Sequence, residues 1–380
     1  MAVPSFYFGG IDLIGIALIL CTYIALYIPL ALSLNFELGF TGIPNFGKAL
    51  FVGAGASFAG AFSGYLSTLY LGIGIGKFIT NNQSVAGQVN GVLAHDVGFS
   101  IVLLLLSLGV AAVVGLAFGL VISGVAIRLK EVYLAMIFFA FAQFFQLFAQ
   151  NYAPLAGGTL GIQVADPFAW AGDYRFVAAV VVLVIFAALS FVLFQKLTSS
   201  PLGRTLRAVR DNEFAAEAYG RNISILRMKV VAIASIVSAM TGALYIFYSA
   251  DVIGGSFDNT LWTFWPWVMV IVGGAANNWG TVVGSAVFWT LLEALDIGKF
   301  SFSGIIPFQV IWLEYILNGV LLVVILRVKP GGLIREKVTH PLEEETRKIA
   351  KRFLDAKGPK GADSQSKEEA PVGTETDPAP

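Results

Sequence analysis

The sequence predicts an all-α fold: a polytopic membrane bundle of about nine helices with its N-terminus outside, its C-terminus cytoplasmic and a disordered C-terminal tail. Composition is the first reason, because 57% of the 380 residues are hydrophobic, only 13% are charged and the mean hydropathy is +0.78. Soluble domains are less apolar and more charged. The other two reasons are recurring apolar segments of membrane-spanning length and a one-sided distribution of basic residues.

A helix that crosses the hydrocarbon core needs about 20 mostly apolar residues. The predicted membrane segments are 11–34, 49–71, 98–122, 132–150, 176–194, 228–247, 261–272, 281–295 and 309–326. Segment 261–272 is short for a full crossing and is followed by several Gly and Asn residues. We therefore expect a broken or re-entrant helix there, which is tolerated where protein or a water-filled cavity surrounds it.

Basic residues indicate the orientation, because they accumulate in cytoplasmic loops. If the N-terminus is outside, only Lys77, Arg175 and Lys299 fall in exterior loops. The cytoplasmic loops then hold Arg128, Lys130, Lys196, Arg204, Arg207, Arg210, Arg221, Arg227, Lys229, Arg327 and Lys329. The pattern predicts a multi-pass protein of the plasma membrane.

The C-terminal residues differ in composition from the rest. Residues 328–380 hold ten Lys/Arg and ten Asp/Glu, and apolar residues become sparse after position 339. Such a segment buries too little surface to offset the entropy of ordering it. We predict a transmembrane domain over 1–338 and a charged, largely disordered cytoplasmic tail over 339–380.

The most informative loop, 199–222, contains SPLGRTLRAVRDNEFAAEAYG. Ser200 followed by Pro201 is typical of a helix start. Asp211 and Asn212 can cap a second short helix, and Gly220 can end it in a left-handed conformation. The sequence predicts a helix, a bend, a second helix and a glycine stop.

Small and charged residues share this loop. Another protein can approach this part of the loop closely, because the side chains of Ala215, Ala216 and Ala218 are small. Charged contacts are offered by Arg204, Arg207, Arg210, Glu213 and Glu217. Taken alone, the pattern fits equally well an amphipathic helix that is solvated on its charged side and lies on the membrane.

The same loop resembles the coupling-helix signature of ABC importer permeases, and specifically the branched-chain amino-acid (Liv-type) permease family. Further blocks agree with that family in order along the chain. They are LALSLNFELGFTGIPNFG at 30–47, IRLKEVYLAMIFFAF at 127–141, AGGTLGI at 156–162, MVIVGGAANNWGTVVGSA at 269–286 and VKPGGLI at 328–334. Together they cover almost the whole chain before the tail.

The resemblance implies a permease subunit for branched-chain or other small apolar amino acids, acting within a larger assembly in the lipid bilayer. Its implied partners are a second permease subunit in a heterodimer, two cytoplasmic ATPase subunits and an extracytoplasmic substrate-binding protein, and no nucleic acid. The partner subunits use the ATP, so the chain itself is expected to bind no cofactor and to be no enzyme.

Site residues follow from the same resemblance. The implied ATPase-coupling residues are Gly203, Arg204, Arg207, Arg210, Asp211, Asn212, Glu213, Ala216, Glu217 and Gly220. The implied residues of the translocation pathway are Gly42, Asn45, Phe46, Gly47, Gly157, Gly158 and Thr159. The glycines at 157 and 158 can equally be a flexible turn.

Two alternative functions remain open at this stage. The same machinery could carry urea, short amides or another small solute. A stand-alone secondary transporter or channel would instead need ion-coupling residues within its spans, where Glu293 and Glu314 are the main acidic candidates. The sparse charge of the spans and the coupling-like loop argue against that class.

Catalytic and metal sites are not predicted. Residues 42–48 read G-x-x-x-x-G-K, but Ala49 replaces the hydroxyl residue that binds Mg²⁺ in a phosphate-binding loop, and Pro44 removes a backbone donor. Cys21 is the one cysteine, and His95 and His340 lie far apart. We therefore expect no nucleotide, metal or catalytic centre in this chain.

Overall fold

A computed structural model describes residues 7–8, 11–73, 77–126, 129, 131–220, 222–302, scattered positions within 316–336, and residue 352. Contacts divide the chain into two units, Met1–Glu336 and Lys337–Pro380. The predicted disordered tail lies almost entirely outside the described residues, and the predicted segment 309–326 lies largely outside them. Glu314 also lies outside them.

Helices dominate the described structure. In chain order they are α1 (Leu13–Thr41), α2 (Lys48–Tyr70), α3 (Lys77–Thr80), α4 (Asn82–Leu93), α5 (Val97–Ala126), α6 (Glu131–Asn151), α7 (Ala153–Ala156), α8 (Arg175–Ser199), α9 (Pro201–Asp211), α10 (Glu213–Ala218), α11 (Ile223–Ser249), α12 (Trp265–Gly273) and α13 (Asn278–Phe302). Short 3₁₀ turns occupy Gly158–Leu160, Ala169–Tyr174 and Gly254–Ser256, and a π turn occupies Thr260–Phe264.

Strands are limited to two short antiparallel pairs in the described residues. The strand β1 (Tyr7–Phe8) pairs with β2 (Ile11–Asp12), and β3 (Ile162–Gln163) pairs with β4 (Asp251–Val252). The second pair ties the segment before α8 to the segment after α11.

Among the residues that the structure describes, six helices are long and apolar enough to cross a membrane: α1, α2, α5, α6, α8 and α11. They confirm the predicted all-α membrane bundle and six of its segments. The count of nine and the orientation stay predictions. The π turn and α12 together form the shorter apolar helix expected at 261–272, and it spans Thr260–Gly273.

The first span is longer than the sequence predicts. The predicted segment ends at Leu34, just before the polar residues Asn35 and Glu37, but α1 continues to Thr41. Both polar side chains are fully buried and bonded to protein groups. A polar residue continues a membrane helix where other parts of the protein satisfy it.

Helices α2 and α11 form the centre of the bundle, since 78% of the most apolar window of each is buried, against 22% for α5. Small residues allow them to approach closely. A Cβ atom added at Gly55 would meet the backbone of Ala239, and one added at Gly242 would meet the backbone of Val52. The outer helices instead expose large apolar side chains, as expected for surfaces that face lipid.

Candidate functional site

The loop between α8 and α11 folds as the predicted helix, bend and helix. Helix α9 begins at Pro201. Ser200 precedes it, but its hydroxyl donates to the Leu197 carbonyl at 2.7 Å instead of capping the helix. Asn212 has an extended backbone between the two helices, and its side-chain oxygen accepts from the Ala215 amide at 3.0 Å. The predicted second cap is therefore confirmed.

Two arginines of α9 are bound to the body of the helix bundle. Arg210 donates to the Gly39 carbonyl at 2.6 Å, lies 3.0 Å from the Asp211 carboxylate and lies 3.1 Å from the Glu336 carboxylate. Burial lowers the pKa of Arg210, but the bonds to Asp211 and Glu336 outweigh it and leave that pKa above its ordinary value. Arg207 lies 3.3 Å from Glu336, so one carboxylate holds both arginines.

The aromatic end of α1 completes this contact. The Arg207 guanidinium carbon lies 5.0 Å from the centre of the Phe40 ring, within the range of a cation–π contact. Both arginines therefore fasten α9 to the last turn of α1. Neither belongs to an outward surface of the loop.

The role of Glu336 was not predicted, because its position depends on a contact between distant parts of the chain. The amides of Leu333 and Ile334 donate to the carbonyls of Val272 and Gly273 at 2.9 and 3.0 Å. These bonds attach the predicted VKPGGLI block to the end of α12 and bring Glu336 beside α9. No local pattern in the sequence indicates this position.

Several other predicted coupling residues also face the protein. Gly203 is buried against the backbone of Thr198. Ala216 is buried with Val209 and Ile223 in a small apolar cluster. Glu213, in contrast, is exposed, although its carboxylate accepts from Arg227 at 3.1 Å.

The outward surface of the loop is formed by other side chains. Phe214 and Tyr219 are 85% and 88% exposed, and the sequence analysis did not single them out. Arg204, Asp211 and Glu217 of the same loop are exposed as well. Gly220 ends the segment at φ +75° with open space around it, as predicted. We call Arg204, Asp211, Phe214, Glu217 and Tyr219 the coupling surface.

A fully buried ion pair lies inside the bundle, between α1 and α2. The Lys48 Nζ atom lies 2.8 Å from the Glu37 Oε2 atom, and neither side chain is exposed to any extent. The Asn45 amide donates to both Glu37 oxygens at 3.1 Å. Lys48 also donates to Ser33 at 3.0 Å and to Ser238 at 3.3 Å. This polar core joins α1, α2 and α11, and every charge in it has a partner.

The turn over residues 42–47 links the polar core to the loop that contains α9 and α10. Gly42 has φ +75°, and a Cβ atom there would lie 3.4 Å from the side chain of Arg210. The Phe46 ring stacks on Trp267 at 4.3 Å. Gly47 is buried against the carbonyl of Phe138. These predicted pathway residues, with Asn45, thus form contacts among α1, α6, α9 and α12.

The predicted pathway residues 157–159 lie at the other end of the bundle. Gly157 and Gly158 have φ +70° and +71°, and Thr159 is exposed in the turn that follows. The turn precedes β3, and the amide of Val164 donates to the Ala250 carbonyl at 3.1 Å. Helices α2 and α11 separate it from α9 and α10, so the structure does not bring the two predicted pathway groups together.

Comparison with known proteins defines the family. Residues 16–326 match the family described as branched-chain amino acid transport system, permease component. The chain belongs to this family. The probable branched-chain amino acid transport permease protein LivM of Methanocaldococcus jannaschii is 38% identical over 347 residues, which cover 90% of this chain and 99% of that protein.

More distant relatives agree with this family. The high-affinity branched-chain amino acid transport system permease proteins LivM of Salmonella typhimurium and Escherichia coli are each 21% identical over 323 residues, which cover 77% of this chain and 68% of the relative. No solved structure matches significantly. The resemblance noted in the sequence is confirmed, and this permease is a multi-pass plasma-membrane transport subunit, not an enzyme.

Proposed function

We propose that this permease is a membrane subunit of an ABC importer for branched-chain amino acids. The match to the permease family over residues 16–326 carries this proposal. The curated relatives named above, whose own names state branched-chain amino acid transport, support the cargo. In this assembly a separate ATPase supplies the energy, and a substrate-binding protein supplies the amino acid.

The finer arrangement follows from the same family. The permease pairs with a second permease subunit in a heterodimer and binds two cytoplasmic ATPase subunits, while the binding protein docks outside. Its N-terminus lies outside, its C-terminus lies in the cytoplasm, and the loop with α9 and α10 faces the cytoplasm. The asymmetry of basic residues supports this orientation.

The coupling surface docks into a groove of an ATPase subunit. A few residues dominate the binding energy at protein interfaces, and aromatic side chains are enriched among them. Phe214 and Tyr219 therefore act as anchors, and Arg204, Asp211 and Glu217 contribute charged contacts around them. The predicted coupling residues that face inward, among them Arg207 and Arg210, hold the loop at the correct angle.

Motion of the docked loop reaches the spans through the turn at 42–47. Arg210 is bonded to the carbonyl of Gly39 and lies against Gly42, and Asn45 is bonded to the buried carboxylate of Glu37. A displacement of α9 therefore acts directly on the end of α1. The role of residues 42, 45–47 and 157–159 in bordering the pathway stays a prediction.

The coupling surface is tested with Phe214→Ala and Tyr219→Ala in the assembled importer. Loss of an aromatic anchor costs about 2 kcal/mol or more, which weakens docking roughly 30-fold. We expect ATP hydrolysis stimulated by the binding protein and leucine uptake to fall together, with membrane insertion unchanged. Phe144→Ala is the matched control, because Phe144 is 66% exposed on a membrane helix. Normal coupled uptake in both loop variants would refute the docking role.

A further inference from the structure

A cavity of about 540 Å³ opens among α1, α11, the π turn before α12 and α13. Sites that bind small molecules commonly measure about 300–1,000 Å³. The cavity lies in the half of the bundle away from α9 and α10, since Tyr23 and Tyr27 line it early in α1 and Tyr245 lines it late in α11. Its size and place suit a small solute that crosses the bundle.

Aromatic side chains form its walls and fix one another by stacking. Tyr23 stacks on Trp289 with ring centres 4.4 Å apart, and Tyr27 stacks on Trp262 at 5.6 Å. The Trp265 ring meets the edge of Trp289 at 5.4 Å. Rigid aromatic faces bind alkyl groups through apolar contact, and their negative faces attract ammonium groups.

Two polar groups of α13 lie on the cavity at helical spacing. Trp289 is 8% exposed, and its indole N–H has no acceptor among the residues that the structure describes. A buried donor of this kind normally has a partner. Glu293 lies one turn further along the same face of α13 and also lines the cavity. Trp289 and Glu293 therefore lie one helical turn apart on the cavity wall.

We propose that this cavity binds an amino acid with an apolar side chain as its zwitterion, an inference that rests on the proposed function. The indole N–H of Trp289 donates to the α-carboxylate of the solute, and the Glu293 carboxylate pairs with its ammonium group. The stacked aromatic rings hold the alkyl side chain. A membrane protein must pair both charges of such a solute, because unpaired charges are costly away from water.

This arrangement also gives specificity. Urea carries no charge and no alkyl chain, so it gains neither the ion pair nor the aromatic contact. A fatty acid such as 4-methylvalerate has the alkyl chain and the carboxylate but no ammonium group, and the Glu293 carboxylate repels it. The cavity therefore selects zwitterions over both kinds of solute.

Thiol protection in the full-length permease tests the proposal. Cys21→Ala removes the single cysteine, and Ile19→Cys places a thiol on the cavity wall. The variant is reconstituted in nanodiscs and labelled with a methanethiosulfonate reagent. We expect L-leucine to slow labelling in a saturable way, and we expect urea and 4-methylvalerate to leave the rate unchanged.

Variants of the two polar groups complete the test. Glu293→Gln and Trp289→Phe, each in the labelling background, should raise the leucine concentration for half-protection about tenfold or more, as expected when a hydrogen bond to a charged group is lost. Trp279→Phe is the matched control on the same helix, because Trp279 is 59% exposed and lies outside this cavity. A saturable change in tryptophan fluorescence on addition of leucine to the Trp279→Phe permease gives a second readout that needs no cysteine.

The outcomes separate this proposal from the proposed function. The cavity is not a zwitterion site if leucine gives neither protection nor a change in fluorescence, or if it protects both polar variants as fully as the wild type. Uptake of leucine by the wild-type importer in proteoliposomes tests the function independently. Normal wild-type uptake with no protection refutes the cavity alone, whereas uptake of urea and not of leucine refutes the proposed cargo.

Discussion

Replacement of Lys48 by methionine is expected to destabilise the permease strongly. Methionine has nearly the length of lysine, so packing is largely kept while the charge is lost. At an effective dielectric constant of about 20, unit charges at the observed 2.8 Å attract by about 6 kcal/mol. The variant loses this attraction and leaves the Glu37 carboxylate buried with Asn45 as its remaining side-chain donor.

Removal of one member of a buried pair typically costs about 3–5 kcal/mol, and we expect a loss of unfolding free energy in that range for Lys48→Met. Replacement of both Glu37 and Lys48 leaves no unpaired buried charge. Glu37→Gln also keeps a side-chain oxygen that accepts from the Asn45 amide. The double variant Glu37→Gln/Lys48→Met should therefore recover most of the loss. The measurement is the free energy of unfolding of the purified chain in mixed micelles, titrated with sodium dodecyl sulfate and followed by circular dichroism.

A partly exposed ion pair provides the control. Glu213 pairs with Arg227, and 45% of the Glu213 side chain is exposed. Glu213→Gln should lower the unfolding free energy by less than about 1 kcal/mol, because solvent screens such pairs. The reasoning is wrong if Lys48→Met stays within about 1 kcal/mol of the wild type, or if the double variant is as unstable as the single one.

Three further predictions concern packing, capping and pH. Gly242→Val should lower the melting temperature and destabilise the bundle by about 1–3 kcal/mol, because its side chain overlaps the backbone of α2, whereas Gly87→Ala, which meets open space, should not. Asn212→Ala should cost about 1 kcal/mol of local stability in α10 and speed hydrogen exchange of the amide that it caps. Hydrogen bonds to Asp96, chiefly from the Phe99 amide, hold its pKa below the ordinary value. This stabilisation is present above the carboxyl pKa of about 4 in the unfolded chain and is lost as the pH falls through the folded pKa, so Asp96→Asn should flatten the acid side of the melting profile.

Local patterns predicted the features that depend on neighbouring residues. Apolar runs of membrane-spanning length predicted the spans, and Asn212 and Gly220 predicted the bend and the stop of the coupling loop. These features arise from hydrophobic periodicity and from capping chemistry. Hydrophobic periodicity and capping residues can both be recognised within a short stretch of sequence.

Features that depend on distant contacts were not predicted. The sequence shows Glu37 and Lys48 eleven positions apart across a turn, but the serines that complete their environment lie on α1 and α11. Glu336 meets Arg207 and Arg210 only because the preceding residues attach to α12. Phe214 and Tyr219 were overlooked because the alanines were expected to form the outward surface, whereas Ala216 is buried and the two aromatic side chains are exposed.

The polar core has an electrical consequence. Glu37 and Lys48 together carry no net charge, and Asn45, Ser33 and Ser238 add none. A unit charge moved across the full membrane potential involves about 2.3 kcal/mol of work per 100 mV. A cluster that shifts as one neutral body avoids almost all of that work. Depolarising the membrane should therefore leave the movement of this part of the permease unaffected.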